Sequence, residues 1–168
     1  MPDPASEHIC GEGYGPGGVA VIITCAASAG RLPMELVRHA FREHGGRLGA
    51  TGSVAYLFRP VGVLRFAMPS DQADVAGEAG AEEWFAAADG TADLYTAPEE
   101  RESVGQRLEA RGHRCLAHGS GWRAMHQLQL VPLERQRLER LVRDILAIEG
   151  VGHVFTNAQT TDQLLAPV

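Results

Sequence analysis

The sequence predicts an α/β protein built from two β-α-β-β-α-β units, the split pattern of ferredoxin-like domains. Three observations carry this expectation. Short apolar runs of strand type alternate with amphipathic stretches of helical spacing, and the alternation occurs twice along the 168 residues. Gly, Pro and Asp-Gly mark the turns between them. No apolar run reaches the length that crosses a bilayer, so the 45% hydrophobic content is available for a core. No sequence repeat marks the two units as duplicates.

Each element has a local reason. Residues 1–17 are polar and rich in Pro and Gly, which predicts a flexible lead-in. Val19–Cys25 is continuous and β-branched, the pattern of a buried strand. Pro33–His44 places Met34, Val37 and Phe41 on one helical face, and Gly45-Gly46 ends it. Val54–Phe58 and Val61–Phe66 read as strands joined by a tight Arg59-Pro60 turn. Ser70–Gly80 reads as a short Ala-rich helix. Glu83–Ala87 and Ala92–Thr96 flank Asp89-Gly90, a hairpin signal. Thr96 and Glu99 have the spacing of a capping box for a helix that Gly112 closes. His126–Val131 alternates as a strand does. Leu133–Glu149 aligns Leu138, Leu141, Val142 and Ile145 on one face, and Val151–Thr156 is the last strand.

Charge and cysteine content narrow the function. The net charge is −6 and all 15 basic residues are arginine. Residues 31–65 hold six Arg against Glu35 and Glu43, a net of +4, whereas residues 66–168 hold nine Arg against sixteen acids, a net of −7. An acidic second half is a poor surface for wrapping nucleic acid, so a basic contact belongs to the first half. The N-terminus shows no basic n-region followed by an apolar stretch, so no secretion signal is read there. Three widely spaced cysteines, Cys10, Cys25 and Cys115, argue against a disulfide framework and for a reducing cytoplasm.

Few side-chain groups offer chemistry. The loop Gly13–Gly18 resembles a phosphate cradle in composition, but it precedes a strand, and phosphate loops open a helix. It is either a close-packed approach to the first strand, with Pro16 fixing the bend, or a loop that contacts a partner or anion. Arg31, Arg38, Arg42 and Arg47 surround one helix, and Arg38 and Arg42 share a face. Such a pair can span phosphates or a carboxylate, or be a solvated face salted by Glu35 and Glu43. His113, Cys115 and His118, with His126 nearby, are ligand types without the paired spacing of zinc sites, in a stretch that looks mobile. No metal or cofactor is expected. Ser53 and Ser120 lie in loops near histidines, but neither stands in Gly-x-Ser-x-Gly. Glu35 and His39 are four residues apart and could pair as acid and base, though a helix-face salt contact explains them. Nothing here writes an active site.

The succession GYGPGGVA, VRHAF and GG-x-LG-x-x-GSVAYLF over residues 13–58 resembles the YebC/PmpR (DUF28) family, which includes the mitochondrial translational activator of cytochrome oxidase. AGAEEW, LYTAPEE and VFTNA extend the resemblance over roughly residues 10–160. It implies a nested arrangement, the second ferredoxin-like domain inserted into the first. The expected boundaries are 1–17 for the lead-in, 18–68 plus 127–158 for the outer domain, 69–126 for the inserted domain and 159–168 for a C-terminal tail. The resemblance also implies a basic N-terminal helical domain, which this sequence lacks; it resembles a short member. Arg31 and Arg38 stand where the family motif places arginines, and Arg47 where asparagine is usual. Leu32 before Pro33 replaces a capping Thr. Arg101 replaces an aromatic, and Met125-His126-Gln127 replaces Met-Ile-Pro.

The resulting expectation is a cytoplasmic gene-expression factor that binds rather than catalyses. Its family acts at the ribosome, including at proline-rich stalls, or as a DNA-binding transcriptional regulator. Candidate binding residues are Tyr14, Gly15, Pro16, Gly17, Gly18, Arg31, Arg38, Arg42, Arg47 and Ser53. Partners are the ribosome or nucleic acid, bound weakly for want of the basic domain, and not a membrane. The alternative is a family scaffold reused for a small-molecule ligand or a biosynthetic reaction, with its site in an inter-domain cleft.

Overall fold

The computed structural model describes residues 7–26 and 29–159. The expected tail 159–168, apart from Gln159, lies outside them, as do the first residues of the lead-in. The chain forms two compact units, one of residues up to Arg59 together with Trp122–Gln159, the other of Pro60–Gly121. The second is thus inserted into the first. Each carries a four-stranded antiparallel sheet with helices, and the fold is α/β with two ferredoxin-like domains.

The first unit contains β1 (Glu7–Tyr14), β2 (Ala20–Ala26), α1 (Met34–Glu43), β3 (Arg47–Leu48), α4 (Pro132–Leu146) and β8 (Val151–Thr156), with strand order β3-β1-β2-β8. Ala20–Cys25 is buried throughout, as the unbroken apolar run requires of a strand covered on both faces. Alternate residues serve two cores. Val19, Val21, Ile23 and Cys25 meet Val37 and Phe41 of α1 and Leu138, Leu141 and Ile145 of α4. Ala20 and Ile22 face the other way, onto Val54, Phe58 and Phe155. Each large side chain buried here contributes about 1.5–3 kcal/mol. Helix α1 has no side-chain cap at Pro33. Its C-terminus closes where Gly45 takes φ 77° and the Gly46 N–H donates to Phe41 O at 2.7 Å.

The second unit contains most of β4 (Phe58–Ala67), α2 (Val75–Ala79), β5 (Glu83–Ala86), β6 (Thr91–Thr96), α3 (Arg101–Ala110) and most of β7 (Arg114–Ala124), with strand order β5-β6-β4-β7. Phe66, Met68, Leu94, Val104 and Leu108 are its fully buried centre. Arg65 and Asp93 are cross-strand partners, joined at 2.7 and 3.3 Å, so the buried Asp93 keeps its charge paired. That partner pushes the Arg65 guanidinium above its ordinary value. At the Asp89-Gly90 turn, Asp89 accepts from the Thr91 N–H and hydroxyl, and these bonds hold its carboxyl low.

Several expectations are corrected. The lead-in contains a strand, β1, in which glycines and glutamates interrupt the few apolar residues. Its glycines are there because neighbours approach closely: a Cβ at Gly13 would lie 2.6 Å from Arg47 O and 2.9 Å from Phe41 Cε1. Cys10 and Cys25, on β1 and β2, form a disulfide with Cα atoms 6.0 Å apart, so the odd cysteine count misled. Val54–Phe58 is mostly a 3₁₀ turn (Ala55–Leu57), and no turn falls at Arg59-Pro60. β4 runs through Pro60 because its register with β6 begins only at Gly62, where every residue has an N–H to give. Thr96 ends β6 with its hydroxyl donating to Ala97 O, and caps no helix. The capping carboxylate is Glu134 in α4, which accepts from the Val131 N–H at 3.1 Å. The mobile stretch around His113–Gly121 is β7, and His126–Val131 holds only a bridge from Leu128 to Ala158. On β7, Cys115 and His118 are an odd number of residues apart and face opposite sides. Burial, chiefly, raises the Cys115 thiol.

Candidate functional site

The candidate residues divide between the two faces of the first sheet. Gly11 and Gly13 of β1 point to the helix-covered face, against Ile23 and Phe41. Glu12 and Tyr14, one residue out of phase, point to the other. Tyr14 pairs directly with Arg47 of β3, so both side chains lie on that second face. Glu12 is only 3% exposed. Its carboxylate accepts the backbone N–H groups of Gly52 (2.6 Å), Val54 (3.1 Å) and Ala55 (2.8 Å). A buried carboxylate with three donors is a firm anchor. It folds segment 49–57 back onto β1, and the Gly49 N–H adds a bond to Glu12 O at 2.8 Å.

That anchored segment sets Tyr56 beside Tyr14. Tyr56 is 65% exposed and Tyr14 37%. The neighbouring Tyr56 side chain raises the Tyr14 phenol above its ordinary value. The Tyr14 hydroxyl also lies 3.4 Å from Ser53 O. Ser53 thus joins the rim through its carbonyl. Its own hydroxyl is buried against Gly49 and finds no partner among the described residues. Tyr14, Arg47 and Ser53 are therefore brought together, and Tyr56 completes a group that sequence reasoning left short. Its segment, Val54–Phe58, reads in sequence as a strand, whereas Ala55–Leu57 is a 3₁₀ turn.

The glycine loop has a different setting. Gly15 and Pro16 are buried, Gly17 and Gly18 exposed. A Cβ at Gly15 would press on Val19, Leu141 and Val21, and one at Gly17 on Leu130 and the Glu134 carboxylate. Gly17 and Gly18 have φ of 72° and 82°, which favours glycine. Close packing accounts for Gly15 and Gly17, and the Glu134 carboxylate stands against the loop at Gly17.

The α1 arginines lie on the helix-covered side of the sheet, away from the tyrosine rim. Arg31 and Arg42 are exposed. Arg38 pairs with Glu35 at 2.7 Å, an exposed contact three residues apart. His44, just past the helix, bonds Asp144 of α4 at 2.5 Å.

One further polar cluster sits on the first sheet. Glu7 joins His153 Nδ1 at 2.8 Å and accepts from Thr24 Oγ1 at 2.5 Å. Its carboxylate fills the space a side chain at Gly152 would need. No group of three metal-ligating side chains occurs among the described residues.

Comparison with known proteins places the chain in one lineage. The family described as TACO1/YebC second and third domain matches residues 6–158. The Probable transcriptional regulatory protein MCA1220 of Methylococcus capsulatus is 36% identical over 163 residues, covering 95% of this chain and 66% of the relative. A probable transcriptional regulatory protein of Francisella tularensis subsp. tularensis is 33% identical over 165 residues, with 96% and 66% covered. The chain therefore spans just under two thirds of the length of these curated relatives. The crystal structure of the conserved hypothetical protein Aq1575 from Aquifex aeolicus superposes with a TM-score of 0.80 at 29% identity, covering 99% of this chain and 70% of that one.

Proposed function

This chain belongs to the TACO1/YebC family, and we propose that it is a regulatory factor of gene expression that works by binding at the ribosome. The names of its relatives support a regulatory role. One observation favours an RNA-rich target. Residues 45–58, one of the three stretches that carry the family resemblance, fold into the rim that exposes Arg47 and Tyr56 beside Tyr14. No acidic residue stands between Glu43 and Asp71, so this segment keeps a local positive surplus in a chain of net −6. The role places the protein in the cytoplasm, with ribosomes. Cys25 is 1% exposed and Cys10 half-buried, so thiols there reach the disulfide from the Cys10 side.

Co-sedimentation with ribosomes at low and high salt tests the reading. The wild-type chain pellets with ribosomes at low salt and is released at high salt, as phosphate contacts require. Arg31→Ala with Arg38→Ala weakens pelleting about tenfold if the α1 face is used, roughly the worth of one charge-assisted contact. Arg47→Ala does so if the tyrosine face is used. A chain that stays in the supernatant at low salt, yet binds duplex DNA with nanomolar affinity, would be a DNA-directed regulator.

A further inference from the structure

We propose that Tyr14 and Tyr56 form a stacking platform for unpaired bases of single-stranded RNA, with Arg47 holding the backbone beside it. This rests on the ribosome-binding reading and names the chemistry of its contact. Among the described residues, Tyr14 and Tyr56 are the only exposed Phe, Tyr or Trp side chains. Tyr95 is buried at 4%, and the remaining aromatics are buried or half-buried. The two exposed rings come from segments about forty positions apart in sequence, yet the Tyr14 hydroxyl reaches Ser53 O at 3.4 Å, three residues before Tyr56. Exposed aromatic carbon is costly in water. Here that cost is held in place by the buried Glu12 anchor under segment 52–55.

Charge complementarity selects the occupant. Arg47 is exposed and is the cross-strand neighbour of Tyr14. A guanidinium beside two exposed rings matches a chain that alternates phosphate and flat base. Duplex bases hide their faces in the stack, so only unpaired nucleotides can use the rings. Residues 44–70 carry no carboxylate to repel phosphate, and Glu12, which lies beneath, is enclosed by its three donors. A proline-rich peptide also packs on aromatic rings, but it has no anionic backbone for Arg47 to meet.

Fluorescence anisotropy on the whole chain tests this, with labelled oligouridylate and oligoadenylate of about twelve nucleotides and a labelled oligoproline peptide as probes. We expect micromolar binding of the oligonucleotides at low salt, weakened about tenfold by Tyr56→Ala, the usual worth of one stacked base. Tyr56→Phe keeps the ring and should bind as wild type. Arg47→Ala should lower the salt slope by about one. Unchanged melting of Tyr56→Ala, expected for so exposed a ring, excludes a folding cause. The proposal is overturned if Tyr56→Ala binds as tightly as wild type, or if the wild type binds oligoproline and neither oligonucleotide. Ribosome pelleting separates the two readings. If the wild type pellets but binds no oligonucleotide, the platform falls and the ribosome role stands. If oligonucleotides bind with tyrosine dependence while pelleting fails, the platform stands and the ribosome role falls.

Discussion

Glu12 is 3% exposed, and a carboxylate at that depth costs several kcal/mol unless its oxygens find donors. It finds the N–H groups of Gly52, Val54 and Ala55. Glutamine in its place would keep the shape but offer one acceptor oxygen and turn an NH₂ toward a backbone donor. We expect Glu12→Gln to destabilise the fold by about 1.5–3 kcal/mol, the range for bonds to a charged group. Amide hydrogen exchange should speed up first at Gly52, Val54 and Ala55. Glu7 gives a pH signature instead. Burial alone would raise its carboxyl, but the bonds to His153 and Thr24 and the charges of His153 and His8 outweigh burial and hold it below its ordinary value. A carboxyl lowered on folding stabilises the protein above its unfolded pKa, and that contribution fades as pH falls through the folded one. Wild type should therefore be more stable than Glu7→Gln at pH 7. The gap should close on acidification below the carboxylate range, as denaturant melts at several pH values would report. None of this was legible in the sequence, because neither glutamate lies near its partners along the chain.

At the level of elements, α1 separates stability from binding. Val37, Ala40 and Phe41 are its buried stripe, and the arginines stand outside it. Phe41→Ala should cost about 3–5 kcal/mol in a denaturant melt. Arg31→Ala with Arg38→Ala should cost no more than about 0.5 kcal/mol per site, since the Arg38–Glu35 pair is exposed. A large loss from the arginine pair would make those residues structural. This helix was legible because helical spacing of apolar residues reports burial directly. α4 was legible for the same reason, β2 because its apolar run is unbroken, and the Asp89-Gly90 hairpin because a turn residue there is a local necessity. β1 was not. Its glycines answer to Phe41, Arg47 and Ile23, which arrive from elsewhere in the chain, so no local pattern announces a strand. The Cys10–Cys25 bond was lost with it, because only adjacent strands bring those residues together. β7 was missed because its outward residues alternate with small ones, and His, Gly and Ser resemble a loop. Tyr56 was missed because its exposure depends on Glu12.

Across the whole molecule, charge and site geometry pull against each other. The net charge is −6, while the acid-free segment 44–70 and the α1 arginines are the positive regions. Long-range attraction to a polyanion is therefore weak, and binding must come from short-range contacts at one rim. Duplex DNA offers phosphates but no exposed base faces, so it can use Arg47 and not the tyrosines. Unpaired RNA can use both. At physiological salt, generic duplex should thus bind no tighter than the micromolar range typical of non-specific contacts. The single strand should bind more tightly, and its advantage should survive added salt, because stacking releases few counterions. Competition between equal lengths of duplex and single strand, titrated with salt, measures this. A duplex preference that grows at low salt would mean that the arginines act alone, through phosphate. A single-strand preference that persists as salt rises is the outcome the tyrosine rim requires.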